Sequence, residues 1–331
     1  MNAPAPHDAR IPVTILTGFL GAGKTTLLNR ILHDPHGGRI AVIENEFGEA
    51  GVDNDLLLDS GDEQIVEMNN GCICCTVRGD LVRILGELRE RRDAGALRFD
   101  RVVIETTGLA DPAPVAQTFF IDDDISDHYL LDGIVTVVDA KHAQAQLDEH
   151  HEAQEQVGFA DRILLSKVDL VSADEHQRLL DRIGRMNARA PVRRVDFGRT
   201  PVDQLLDIRG FDLDSILAIE PGFLSEDDHV HDDDIRSFVF RSDRPFDQDK
   251  LQDFLADIVR THGPQLFRYK GVLHVAGLDS RIVLQGVHMM MATDLGKPWT
   301  AGEPRQTTLV FIGRDLPEAE FLAALDRCLT D

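Results

Sequence analysis

Two short runs of this chain hold residues whose types and spacing suit chemistry. Gly18-Phe19-Leu20-Gly21-Ala22-Gly23-Lys24-Thr25 matches G-x-x-x-x-G-K-[ST] at every fixed position. Glycines at that spacing let backbone N–H groups turn inward around phosphate oxygens, and a helix starting there adds the positive end of its dipole. Lys24 would reach the β- and γ-phosphates and Thr25 would ligate Mg²⁺, with Gly18, Gly21, Ala22, Gly23 and Thr26 forming the cradle. The second run is Gly71-Cys72-Ile73-Cys74-Cys75-Thr76. Thiolates favour Zn²⁺ or Cu(I) over Mg²⁺, and three protein sulfurs leave one tetrahedral position open, as in an exchangeable site. Buried structural cysteines or a redox pair are the competing readings. Between the two runs lies Glu44-Asn45-Glu46-Phe47-Gly48-Glu49. Either Glu44 or Glu49 could supply a further zinc ligand, or the turn is simply solvated.

Two further motifs bear on the nucleotide. Glu105-Thr106-Thr107-Gly108 follows the apolar Val102-Val103-Ile104. Glu105 would hold Mg²⁺ through water, and the Gly108 N–H would sense the γ-phosphate. Asp139, at the end of another apolar run, is a rival acid for the magnesium shell. Ser166-Lys167-Val168-Asp169 fits [NST]-K-x-D with serine in place of asparagine, so its bracing of the loop is expected to be weaker. The Asp169 carboxylate can accept from guanine N1–H and the 2-amino group together, a pair adenine lacks, while the Lys167 stem covers the base. Val195-Asp196-Phe197-Gly198 could touch the base through backbone groups. His229 and His231 are either a weak exposed metal-capture site or solvated, His33 and His36 read as helix-end caps, and Met289-Met290-Met291 reads as core or interface packing.

Positioning these groups requires strands that end where the motifs begin. Apolar runs at Pro12–Thr17, Ile40–Ile43, Ile65–Met68, Val102–Ile104, Ile134–Val138 and Ile163–Leu165 alternate with helical patterns such as Leu81, Ile84, Leu85 and Leu88. That order predicts an α/β domain with a mostly parallel sheet covered by helices on both faces, and ligands at the carboxyl ends of its strands. Residues 1–10 read as a disordered leader, 11–224 as the nucleotide domain, and 225–234, acidic and aperiodic, as a linker. Residues 235–331 read as a small α+β domain. Its strands lie at Ile235–Arg241, near Leu266–Ala276, at Arg281–Gly286 and at Thr307–Ile312. Its helices cover Gln248–Thr261 and Glu318 to about Leu329.

Bulk properties narrow the partners. A length of 331 residues fits two domains, and a net charge of −24 argues against nucleic acid and anionic membranes. The first ten residues lack the basic start and apolar core of a signal peptide, and no run of 18 apolar residues occurs. With three of its four cysteines in C-x-C-C, the chain suits a reducing cytoplasm and metal or thiol chemistry.

Taken in order, Gly18–Leu28, Glu44–Glu49, Gly71–Cys75, Glu105–Gly108 and Ser166–Asp169 resemble one family, the CobW-like metal-chaperone GTPases of the P-loop class, in its zinc-transferring subgroup. The tail resembles that family's C-terminal domain through Tyr269-Lys270-Gly271, Leu284-Gln285-Gly286-Val287 and Lys297-Pro298-Trp299. The resemblance implies a GTP-hydrolysing chaperone using GTP/GDP, Mg²⁺ and Zn²⁺, with Co²⁺ less expected. Cys72, Cys74 and Cys75 would carry a metal destined for a client metalloprotein. Cobalt handling for cobalamin synthesis, nitrile hydratase activation, and a metal sensor with incidental hydrolysis are the other functions in view. Self-association and the group polarising the attacking water stay open. Many relatives carry long histidine runs in the linker, where this chain has His229 and His231 alone.

Overall fold

The computed structural model describes residues 10–33, 38–44, 64–67, 76–196, 198, 201, 205–208, 235–300 and 302–330. Its first half alternates strand and helix: β1 (Ile11–Thr17), α1 (Lys24–His33), β2 (Ile40–Glu44), β3 (Gln64–Glu67), α2 (Thr76–Asp93), β4 (Arg101–Glu105), α3 (Ala113–Ile121) and α4 (Asp123–His128). It continues through β5 (Tyr129–Asp139), α5 (Ala143–Glu149), α6 (His151–Phe159), β6 (Arg162–Ser166), α7 (Ala173–Met186) and β7 (Val192–Arg194). The strands form a seven-stranded sheet in the order β3-β2-β4-β1-β5-β6-β7, and every pairing is parallel.

Side chains alternate across β1, so Val13 and Ile15 enter one apolar layer while Leu16 enters the other. The first layer takes Leu81, Ile84, Leu85 and Leu88 from α2 and Phe119 from α3, and the second takes Leu27, Leu28, Ile31 and Leu32 from α1. Both faces of the central strands are dry, which is why they read as continuous apolar runs. Each such side chain contributes roughly 1.5–3 kcal/mol when fully buried.

The second half is β8 (Ile235–Ser242), α8 (Gln248–His262), β9 (Leu266–Leu273), β10 (Ser280–Val287), β11 (Met290–Pro298), β12 (Thr307–Arg314) and α9 (Glu318–Arg327). Its strands make an antiparallel sheet in the order β11-β10-β9-β12-β8. Helices α8 and α9 bury Leu251, Leu255, Ile258, Phe321 and Leu325 against Phe238, Tyr269, Leu284 and Phe311. Ile235, Phe267, Val287, Val310 and Ile312 instead join the apolar layer of the first sheet, so the two sheets share a core through α6.

Two strands, β7 and β11, escape the sequence pattern because both lie at sheet edges, where burial does not demand alternation. The methionine run is corrected accordingly: Met289 is 61% and Met291 39% exposed at the start of edge strand β11, so these side chains are not core packing. The strand expected near Leu266–Ala276 stops at Leu273, because Phe246 takes over the backbone hydrogen bonds of His274 and Ala276. Among the described residues no helix is long and apolar enough to cross a membrane.

Candidate functional site

β1 delivers the chain to the carboxyl edge of the sheet at Thr17, and the glycine loop turns there. Gly18 has φ +142°, and a Cβ on it would lie 2.2 Å from the Val137 carbonyl oxygen, so only glycine closes onto β5. The Ala22 N–H then donates to Phe19 O at 3.1 Å and α1 begins at Lys24. The Lys24 side chain is folded into this turn, its Nζ donating to Gly18 O at 2.8 Å. Burial lowers the pKa of its ammonium, and the charge of Glu105 opposes that shift.

The register of three parallel strands aligns Glu67, Glu44 and Glu105 at the same edge. Glu105 accepts from the Thr25 hydroxyl at 3.1 Å, which brings together the two side chains expected at magnesium. A hydroxyl and a carboxylate side by side are hard oxygen donors, the set Mg²⁺ prefers, and Lys24 stands beside them. Beyond Glu105, Thr106 donates its hydroxyl to that of Thr17 at 2.8 Å, tying β4 to β1. The next turn packs directly on the glycine loop: a Cβ on Gly108 would lie 2.7 Å from the Leu20 backbone nitrogen. Any shift of Gly108 is therefore felt at the phosphate loop.

On the other side of the loop, β6 ends at Ser166, whose hydroxyl donates to Ala22 O at 2.7 Å. Serine thus braces the phosphate loop directly. Lys167 sits in the left-handed region at φ 55° and donates to Gly21 O at 2.9 Å and to Asp139 at 2.7 Å. Asp169 lies exposed in the following short turn, Val168–Leu170. Asp139 also accepts from Lys141 N–H at 2.9 Å and contacts His142 Nδ1 at 2.8 Å. Burial opposes its ionisation, but these partners outweigh burial and hold the carboxyl below its usual range. Asp139 is therefore held by Lys167 and His142, whereas Glu105 is the acid beside Thr25. Gly198 lies against the Thr26 carbonyl at the start of α1, while Phe197 is outside the described residues.

Of the expected metal ligands, Glu44 is described, at the end of β2 beside Glu105. Cys72, Cys74, Cys75 and Glu49 lie outside the described residues, as do His36, His229, His231 and the side chain of His33. Sequence reasoning missed Gln156, which holds the Gly108 turn, and Asp161, which holds the two sheets together. Neither sits in a local pattern that distinguishes it from an ordinary polar residue.

A phosphate loop and a base loop locked to one another through Ser166 and Lys167 place this chain among the P-loop GTPases. It belongs to the CobW/HypB/UreG family: that family's nucleotide-binding domain matches residues 12–194, and the cobalamin synthesis protein cobW C-terminal domain matches residues 235–329. The zinc chaperone YjiA of Escherichia coli is 44% identical, across 95% of this chain and 97% of its own length. The zinc chaperone CobW of a Sinorhizobium species is 33% identical, across 98% and 99%. The crystal structure of Zn(II)-bound YjiA GTPase from Escherichia coli superposes with a TM-score of 0.77 at 39% identity, covering 97% of this chain and 99% of that one. A Zn(II)-bound triple mutant of the same GTPase, with one glutamate and two cysteines replaced by alanine, matches equally well.

Proposed function

We propose that this GTPase is a zinc metallochaperone that holds Zn²⁺ on Cys72, Cys74 and Cys75 and releases it to a client metalloprotein as GTP is hydrolysed. The observation that carries the reading is the common strand edge of Glu67, Glu44 and Glu105. From Glu67 only five residues lead to Cys72, and α2 starts at Thr76, directly after Cys75. An extended chain spans at most ~3.6 Å per residue, so the tether from Glu67 to Cys72 is no longer than about 18 Å. The zinc-bound relatives support the choice of metal, and the glutamate and cysteines replaced in one of them are the residue types found in Glu44–Glu49 and C-x-C-C. The Sinorhizobium relative that bears the CobW name is itself a zinc chaperone, which favours zinc over cobalt.

In this reading GTP enters at the carboxyl edge with its phosphates in the Gly18–Thr26 cradle. Lys24 meets the negative charge that develops between the β- and γ-phosphates, and Asp169 accepts from the guanine edge. Thr25 and Glu105 hold Mg²⁺, which when bound neutralises phosphate charge. The Gly108 turn, pressed against Leu20, takes one position with a γ-phosphate and relaxes without it. Glu44 lies on the strand next to Glu105, and Glu67, aligned with it on the following strand, comes five residues before Cys72 in the sequence. Reduced thiolates need a reducing compartment, for which the cytoplasm is suited. The second sheet with its helices, matched by the family's C-terminal domain over residues 235–329, would serve for client docking.

Cys74→Ala tests the reading. Outer-shell partners alone cost 10–100-fold in metal affinity, so removing a ligand is expected to weaken zinc binding by more than about 100-fold. GTP affinity, measured by fluorescent-nucleotide titration, should stay within about twofold, since the thiol is not part of the phosphate cradle. Undiminished zinc affinity would remove the thiolate assignment.

A further inference from the structure

Gln156 of α6 is 1% exposed and spends its side-chain amide on a single loop. Its Nε2 donates to Gly108 O and to Ala110 O, both at 3.1 Å. These carbonyls flank the turn that packs on Leu20, and a buried carbonyl deprived of its donor is costly. Displacing the turn must therefore break both bonds or carry Gln156 with it.

Gln156 is itself fixed in place. The Thr136 hydroxyl of β5 donates to the Gln156 backbone carbonyl at 2.7 Å. Two residues further along α6, Gly158 faces the second sheet so closely that a Cβ would lie 3.1 Å from the Phe267 ring. Phe159 stacks on Phe267 with centroids 5.2 Å apart, and its carbonyl accepts from Arg268 of β9 at 2.9 Å. Next to Gln156, Glu155 accepts from Arg314 of β12 at 3.3 Å. The same guanidinium lies 5.4 Å over Phe267. One nine-residue helix thus grips the Gly108 turn with one side chain and two strands of the other sheet with its neighbours.

We propose that Gln156 is a positioning residue for the Gly108–Ala110 turn, and that through α6 it couples the position of that turn to β9 and β12 of the C-terminal sheet. The proposal rests on the reading of Gly108 as the γ-phosphate sensor. It gives the second unit a way to distinguish GTP from GDP without touching the nucleotide. An aliphatic side chain of similar size at 156 would keep the packing and remove both donors.

Amide hydrogen exchange on the full chain tests this, comparing the GDP complex with that of guanosine 5′-(β,γ-imido)triphosphate, both with Mg²⁺. Couplings of this kind are typically 5–150-fold, so the wild type is expected to show at least about a fivefold difference in exchange at Gly108–Asp111 and again in β9 and β12. In Gln156→Leu the turn should still respond, the β9 and β12 difference should collapse, and kcat should fall about tenfold with little change in KM, as for loss of a transition-state positioning contact. A responding turn beside indifferent β9 and β12 in the wild type overturns the relay alone, and needs no variant to fold. A β9 and β12 difference that survives Gln156→Leu, or an unchanged kcat, also overturns it. Identical exchange at Gly108–Asp111 with both nucleotides removes the sensor reading and the relay with it.

Discussion

Lys24→Ala is expected to lower GTP turnover by about 10²–10³, the usual cost of deleting one preorganised charge donor at a reacting centre. The geometry explains why the effect should be large. Lys24 is only 9% exposed, and its ammonium is held in the turn by the Gly18 carbonyl. Burial already lowers its pKa, so a phosphate arriving there meets a poorly hydrated cation. Glu105 is its anionic neighbour, so removing the lysine takes away one of the positive charges that oppose that carboxylate and the phosphates. Steady-state phosphate release checks the prediction, with circular dichroism to confirm folding. A rate within tenfold of wild type would separate Lys24 from the chemistry.

The second large effect concerns the join between the sheets. Asp161 Oδ1 lies 2.7 Å from Arg268 of β9 and 3.4 Å from Arg189, while Oδ2 accepts from the Ile134 N–H at 2.9 Å. All three charged side chains are buried, at 1%, 2% and 8% exposure. Burial pushes the Arg189 guanidinium down to about 10 despite the adjacent Asp161 carboxylate. Asp161→Ala leaves two guanidiniums in that interior without their acid. Breaking a buried pair on one side costs about 3–5 kcal/mol, a large part of the 5–15 kcal/mol that holds a domain folded. The expected result is a lower urea midpoint, accompanied by separation of the unfolding of the two halves. An unfolding free energy within about 0.5 kcal/mol of wild type, the range of an ordinary surface change, would show that water reaches the triad after all.

Much of the nucleotide half is legible in sequence because its constraints are local. A strand that runs into a glycine loop and then a helix is written in consecutive residues, and β1 and α1 follow that script from Ile11 to His33. Ser166 and Asp139 were harder to read. Whether serine reaches the phosphate loop depends on Ala22, 144 positions away. Whether Asp139 faces magnesium or the base loop depends on Lys167, which only the sheet register places beside it. Gln156 and Asp161 were invisible for the same reason: their partners come from a turn and a second sheet far along the chain. Edge strand β11 has no burial pattern to reveal it, so the exposed methionines at its start could not be told apart as core or interface packing.

The central claim is that nucleotide state sets the affinity of the thiolate site. Its most direct test is the zinc dissociation constant of the reduced protein, measured by chelator competition with Mg²⁺ and guanosine 5′-(β,γ-imido)triphosphate and again with GDP. Coupling between two sites in one protein is typically 5–150-fold, and the account predicts tighter binding with the triphosphate by at least about tenfold. Equal dissociation constants would contradict it, because hydrolysis could then drive no release.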